Sequence, residues 1–233
     1  MKNINDLKFV RLNRLSDDNS ENIAMLNSSY LLWKSIWIDT WQELGIDKKV
    51  TSDDFLDREC IGLFDGNNAV ALMLHREFDL DQRADLDHSY FNAFPESLLK
   101  NIINEKVHKK VSIATYFTVD KEWRRSKVGD ASTNKTNLPI SEVLFGLSVR
   151  TFLVSKTTAL LGYSRNDRGV NLIRYRHGGQ PLLKNHPIHN TTVDFTITTK
   201  ATAKDSDIPG VSECVQHLWE HQSETQNPIK KAG

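Results

Sequence analysis

From Glu21 to about Leu44 apolar residues return every three or four positions, at Ile23, Leu26, Tyr30, Trp33, Trp37, Trp41 and Leu44, before Gly45. That period predicts a long amphipathic helix with a glycine stop. Before it, KFVRLNRL (Lys8 to Leu15) alternates as a short strand does, and Ser16 to Ser20 supplies capping residues. After it, Thr51 to Arg58 is an acidic connector with a short helix or turn, and Glu59 to Phe64 and Ala69 to Phe78 read as two strands of a hairpin joined by Asp65-Gly66-Asn67-Asn68. Asp79 to His88 is loop-like, and Pro95 opens a helix with Leu98, Leu99, Ile102 and Ile103 on one side.

Ser112 to Val119 is the most strand-like run in the chain. Asp120 to Leu138, polar and without period, reads as a long loop. Pro139 then opens a helix with so broad an apolar face that it must lie against a sheet. Ala159 to Ser164 is a strand, Gly169 to His177 a short helix ended by Gly178-Gly179, Thr191 to Thr199 a β-branched strand and Val211 to His221 a last helix. The expectation is a single domain over residues 1–223, with a disordered tail from 224 to 233.

Composition narrows the class. The 233 residues are 39% hydrophobic and 26% charged, with 30 basic against 30 acidic side chains, so no overall field favours nucleic acid. Two cysteines, Cys60 and Cys214, are too few for a disulfide framework or a thiolate zinc site. No apolar run approaches the roughly 18 residues of a membrane span, and the first residues lack a signal core, which predicts a cytoplasmic protein. His217 and His221 stand at i, i+4 and His186 and His189 three apart, but neither pair has an H-E-x-x-H pattern or a nearby third ligand, so no metal is expected. Three tryptophans at helical spacing belong to a core by the area they carry, with Trp33 the one expected to border a ligand pocket.

The strand, basic loop, helix, strand order from Ser112 to Gly179 is one that presents an anionic ligand to backbone amides. Its loop, Arg124-Arg125-Ser126-Lys127-Val128-Gly129, resembles the acyl-CoA signature of the GCN5-related N-acetyltransferase (GNAT) superfamily, with Arg124 and Gly129 matching and Lys127 in place of the first glycine. The order of elements is similar to that superfamily from roughly Lys8 to Thr199. The resemblance implies an α+β fold: a mixed, largely antiparallel sheet flanked by helices, with a splayed central strand forming the acyl-donor cleft.

It also implies roles. Phe117, Val119, Arg124, Arg125, Lys127, Val128, Gly129 and the turn residue Asn166 would hold the donor, an acyl-CoA or acyl-carrier-protein thioester. The Trp-bearing first helix and the acidic DDFLD motif resemble the branch of acyl-homoserine-lactone and long-chain N-acyl amino acid synthases, which makes Trp33, Asp54, Phe55 and Tyr116 candidates for substrate binding. Ile113 and Tyr116 stand where that branch carries Glu and Arg on the central strand, so lactone formation is not implied. The implied reaction is direct aminolysis of a thioester by a small-molecule amine, with Tyr175 the candidate proton donor to the thiolate and Asp120 the candidate base. The alternative is a catalytically inactive descendant that serves as an interaction or ligand-sensing module.

Overall fold

In the computed structural model, residues 6–13, 19–47, 49–104, 108–124, 127–130 and 135–222 are described. The expected tail from 224 lies outside them. The strands are β1 (Leu7–Leu12), β2 (Glu59–Asp65), β3 (Asn68–Asp79), β4 (Lys110–Val119), β5 (Lys127–Asp130), β6 (Lys135–Pro139), β7 (Ala159–Arg165), β8 (Gln180–Ile188) and β9 (Thr191–Thr199). The helices are α1 (Ser20–Glu43), α2 (Asp53–Leu56), α3 (Arg83–Leu86), α4 (Glu96–Asn104), α5 (Ile140–Val154), α6 (Val170–Arg176) and α7 (Val211–Glu220), with a 3₁₀ turn at Ser89–Ala93. Seven strands form one mixed sheet in the order β1-β2-β3-β4-β7-β9-β8, antiparallel except for the β4–β7 pair.

Alternation along the strands sorts the core onto two faces. Phe9, Ile61, Leu63, Met73 and Leu160 pack with Val143, Leu147 and Val215 of α5 and α7. Their strand neighbours Val10, Leu12, Cys60, Leu72 and Leu74 turn to the other side, against Met25 and Trp33 of α1 and Phe55 of α2. On that same side, Phe78, Ile113, Leu161 and Phe195 meet Phe91, Phe94 and Ile102. Helix α1 starts where Asn19 Oδ1 accepts from the Glu21 amide at 2.9 Å. Its buried stripe runs through Asn22, Met25, Ser29, Trp33, Ile36 and Trp41, one step round from the expected line, and Ile23 is 47% exposed.

Two expectations change. The polar loop predicted over Asp120 to Leu138 contains the small β5–β6 hairpin, in which Lys127 faces Pro139 and Val128 faces Leu138. No element is expected between Gly179 and Thr191, but the structure has strand β8 there, at the sheet edge, where the missing amide donors of Pro181 and Pro187 are tolerated. The expected β2–β3 hairpin is present, with Asp65 and Asn68 paired, so that the turn closes in two residues, Gly66 at φ 58° and Asn67. Gly178, at φ 88°, ends α6, and the next amide, Gly179, donates to Arg174 O at 2.8 Å. A methyl at Gly178 would run into the Thr202 carbonyl.

Glu142, in the first turn of α5, fastens three segments on the α5 face. It is buried and accepts from Arg176 Nε at 2.8 Å, His177 Nε2 at 3.2 Å and Ser206 Oγ at 3.1 Å. Burial raises its pKa, but the hydrogen bonds from His177 and Arg176 outweigh that and hold the carboxyl below its ordinary value. A depressed folded-state pKa contributes stability above the unfolded value of about 4.3, and that contribution is lost as pH falls through the folded pKa. Glu142→Gln is therefore expected to cost about 3 kcal/mol at pH 7 by denaturant titration, with the gap to wild type narrowing as the pH is taken below 4.

Candidate active site

The β4–β7 ladder has only three rungs: Val111 with Ala159, Ser112 with Leu160 and Ile113 with Leu161. Beyond them β4 continues to Val119 beside β3, while β7 continues to Arg165 beside β9. The two central strands therefore part, and a fork opens between their C-terminal halves. At the same level β4 bulges. Leu74 pairs with Thr115 and Leu72 with Thr118, so Tyr116 and Phe117 together oppose Met73. Tyr116 sits at φ 54°, an uncommon conformation for a bulky residue and one that concentrates at functional sites.

Side chains from α1 and α2 hold the bulge in place. The rings of Trp33 and Trp37 meet the Tyr116 ring edge-on at centroid distances of 5.5 and 4.9 Å, and Phe55 packs on Trp33 at 5.5 Å. Trp37 Nε1 donates to Thr118 Oγ1 at 2.9 Å, and that hydroxyl donates to Tyr116 O at 2.6 Å. The Tyr116 hydroxyl donates to Asp54 Oδ1 at 3.1 Å, and Arg58 lies over the Tyr116 ring at 5.2 Å. Burial, then the Asp54 charge, push the Tyr116 phenol well above its ordinary pKa, so it is a hydrogen-bonding group and not an anion at neutral pH. Trp33, Asp54, Phe55 and Tyr116 are thus brought into one cluster, with Trp33 wholly buried. Phe117 turns to the opposite face, its ring 6.3 Å from that of Phe145.

The other candidates scatter. Arg124 Nε donates to Val119 O at 2.9 Å, closing the turn after β4. Asp120 Oδ1 caps the same turn by accepting from the Glu122 amide at 2.8 Å, and Asp120 lines a hollow of about 550 Å³ with Ser35, Ile36 and Trp123. Arg125 lies outside the described residues. Lys127, Val128 and Gly129 stand in a strand of the hairpin, so α5 is entered from β6 through Pro139 and not from a glycine loop. Tyr175 and Asn166 come together on Asp194 of β9, one strand beyond the fork. The Tyr175 hydroxyl donates to Asp194, as do Asn171 Nδ2 at 3.0 Å, the Asn185 amide at 2.8 Å and Asn166 Nδ2 at 3.0 Å. Burial would raise the Asp194 carboxyl, but these bonds, Tyr175 first, bring it down to about 2.

Several polar residues near the fork escape sequence reading. Tyr90 stacks on Tyr163 with ring centroids 5.3 Å apart. Arg174 is buried over Gly162, the first residue of β7 past the ladder. At the other end of the sheet a 370 Å³ hollow is lined by Arg11, Glu59, His75 and Arg76. Burial pulls His75 down to about 3, so it is neutral, and its Nε2 lies 2.7 Å from Ser148 Oγ. That end has no splay. His217 and His221 stack at 4.2 Å, and no group of three or more His, Cys, Asp or Glu able to hold a metal ion occurs among the described residues. No helix among them is long and apolar enough to cross a membrane.

No family model matches the sequence, and no curated protein matches it. Solved structures do match in fold. FeeM, an N-acyl amino acid synthase from uncultured soil microbes, aligns with a TM-score of 0.52 at 12% identity, over 84% of this chain and 92% of its own. The AHL synthase LasI aligns at 0.53 and 12% identity, over 87% of this chain and 95% of its own. BjaI, a CoA-dependent acyl-homoserine lactone synthase with SAM and isopentyl-CoA bound, aligns at 0.54 and 12% identity, over 91% of this chain and 90% of its own. At such identity the likeness is one of architecture. With its three-rung central ladder, bulged β4 and flanking helices, the chain has the GNAT fold in a form similar to that of the acyl-homoserine lactone synthases.

Proposed function

We propose that the protein is an N-acyltransferase that moves an acyl group from a thioester to a small-molecule amine by direct aminolysis. The observation that carries this reading is the fork between β4 and β7 with the Tyr116 bulge at its side, because it leaves strand-edge backbone free to meet an extended ligand. The amine nitrogen attacks the thioester carbonyl carbon, a C–N bond forms, the C–S bond breaks and the thiolate leaves. Backbone amides from Phe117 to Val119 serve as donors to the oxyanion. Two substrates held side by side supply much of the rate, since a thioester is already activated.

The acceptor lies on the α1–α2 face. Asp54, hydrogen-bonded to Tyr116 at the bulge, is the carboxylate best placed to hold an incoming ammonium and take its proton. Asp120, engaged in its own turn, is less suited to that task. Tyr175 keeps Asp194 company one strand away, and burial together with that hydrogen bond raises its phenol pKa, which makes it a poor acid. A thiol of ordinary pKa near 8.5 needs little help in leaving, so solvent can reprotonate it.

Acyl-CoA is the donor favoured by the isopentyl-CoA bound to BjaI, and acyl-carrier protein is the second donor to test, with Arg124 the described basic side chain expected to meet either one's phosphate. Calorimetry is expected to detect binding of CoA, acyl-CoA or acyl-carrier protein to the full chain, and a thiol-release assay to show many turnovers in the presence of amine. Absence of both signals would sink the reading. Asp54→Asn is expected to lower kcat/KM about a hundredfold and Tyr175→Phe less than tenfold, measured in the same assay. The reverse order would move the proton chemistry to the α6 side.

A further inference from the structure

The interior of this protein satisfies its charged groups with care, and one group stands apart. Glu142 and Asp194 each accept several hydrogen bonds. Arg174 is 2% exposed, yet among the described residues its Nε and Nη2 have no hydrogen-bond partner and no carboxylate pairs with it. Covalent geometry makes this pair of nitrogens informative. Nε–H and the neighbouring Nη2–H point the same way and form the two-donor edge that matches the two oxygens of a carboxylate. The guanidinium stays protonated at neutral pH, since burial lowers its pKa only to about 10.

Its position is as specific as its chemistry. The guanidinium lies over Gly162, the first β7 residue past the ladder, where a methyl would run into it, and its other side rests 5.7 Å from the centre of the Phe145 ring. It therefore stands at the base of the fork, on the face opposite the Asp54–Tyr116 cluster, with the Tyr90 hydroxyl on the far side of the sheet. From this we infer that the base of the fork is a carboxylate-binding site, with the Nε/Nη2 edge of Arg174 as its receptor and Gly162 as the gap that lets the guanidinium reach it. The inference names a chemical feature of the ligand in the proposed acyl-transfer cleft, and it rests on that reading for its meaning but not for its measurement.

The carboxylate has two possible sources, the acceptor or the far end of the acyl group. Binding of two acid–ester pairs to the full chain separates them: N-octanoylglycine against its methyl ester for the acceptor side, and glutaryl-CoA against its methyl ester for the acyl side. In one pair the acid is expected to bind at least about tenfold tighter than the ester, as a charge-assisted two-donor contact requires. Arg174→Met is expected to erase that ratio. Gly162→Ala, which keeps the charge but displaces it, is expected to erase it as well and answers the question if Arg174→Met does not fold. A ratio near one in both pairs, or a ratio that survives both substitutions, overturns the inference. So does a loss on Arg174→Met of affinity for unacylated CoA or inorganic phosphate alone, which would give the guanidinium to a phosphate. Thiol release is read separately: its absence with every amine removes the acyl-transfer reading while the acid-to-ester ratio still decides the carboxylate site.

Discussion

A strand in the middle of a sheet normally has both edges paired, and β4 gives up one of them halfway along. After Ile113 its ladder to β7 ends while its ladder to β3 continues. Backbone groups buried without partners are costly, so the parting has to be supported from outside the sheet. Much of the architecture reads as that support. Trp37 reaches from α1 to Thr118, Thr118 reaches back to the Tyr116 carbonyl, and Tyr90 enters from the 3₁₀ turn to stack on the Tyr163 ring. The positive φ of Tyr116 is the local expense of the bulge, held by two tryptophan rings, the Arg58 guanidinium and an aspartate.

The same constraint divides the molecule into two sides with different chemistry. On the α1–α2 side the fork meets aromatic rings and the Asp54 carboxylate, a setting suited to a cation. On the α5–α6 side it meets a buried guanidinium, a setting suited to an anion. Removing an isolated charge from water is unfavourable unless something pairs with it, and Glu142 and Asp194 show that this fold supplies partners where a charge is purely structural. Among the described residues Arg174 has no such partner, and it stands where β4 and β7 part.

How much of this was legible in the sequence depends on distance along the chain. Elements governed by local period, such as α1, the β2–β3 hairpin and β9, were readable because three- or two-residue spacing reports directly on one buried face. The clustering of Trp33, Asp54, Phe55 and Tyr116 was readable only through resemblance, since α1, α2 and β4 meet by tertiary packing. Strand β8 was hidden by prolines that only an edge tolerates, and the β5–β6 hairpin by the absence of alternation. Arg174 left no local mark: in NLIRYR it looks like one more basic residue of a short helix, beside the half-exposed Arg176. Gly162 was a weak signal, a glycine inside a strand, which marks close approach by something else in the fold.

The departures from the acyl-homoserine lactone pattern then acquire a physical sense. Ile113, which stands where the resembling branch carries an acid, is the last rung of the ladder and is buried among Val111, Leu161 and Phe195. A carboxylate there would lie in an apolar cluster at the point where the strands still touch, and would be expensive to ionise. Tyr116, in place of the branch's arginine, delivers a neutral hydroxyl to Asp54 and leaves the positive charge to Arg58 above its ring. The charged groups beside the fork come from the helices on either side and not from the central strand: an aspartate and an arginine from α2 and its C-terminal flank, and an arginine from α6. On the acyl-transfer reading proposed above, substrate recognition rests on those three side chains more than on β4 itself.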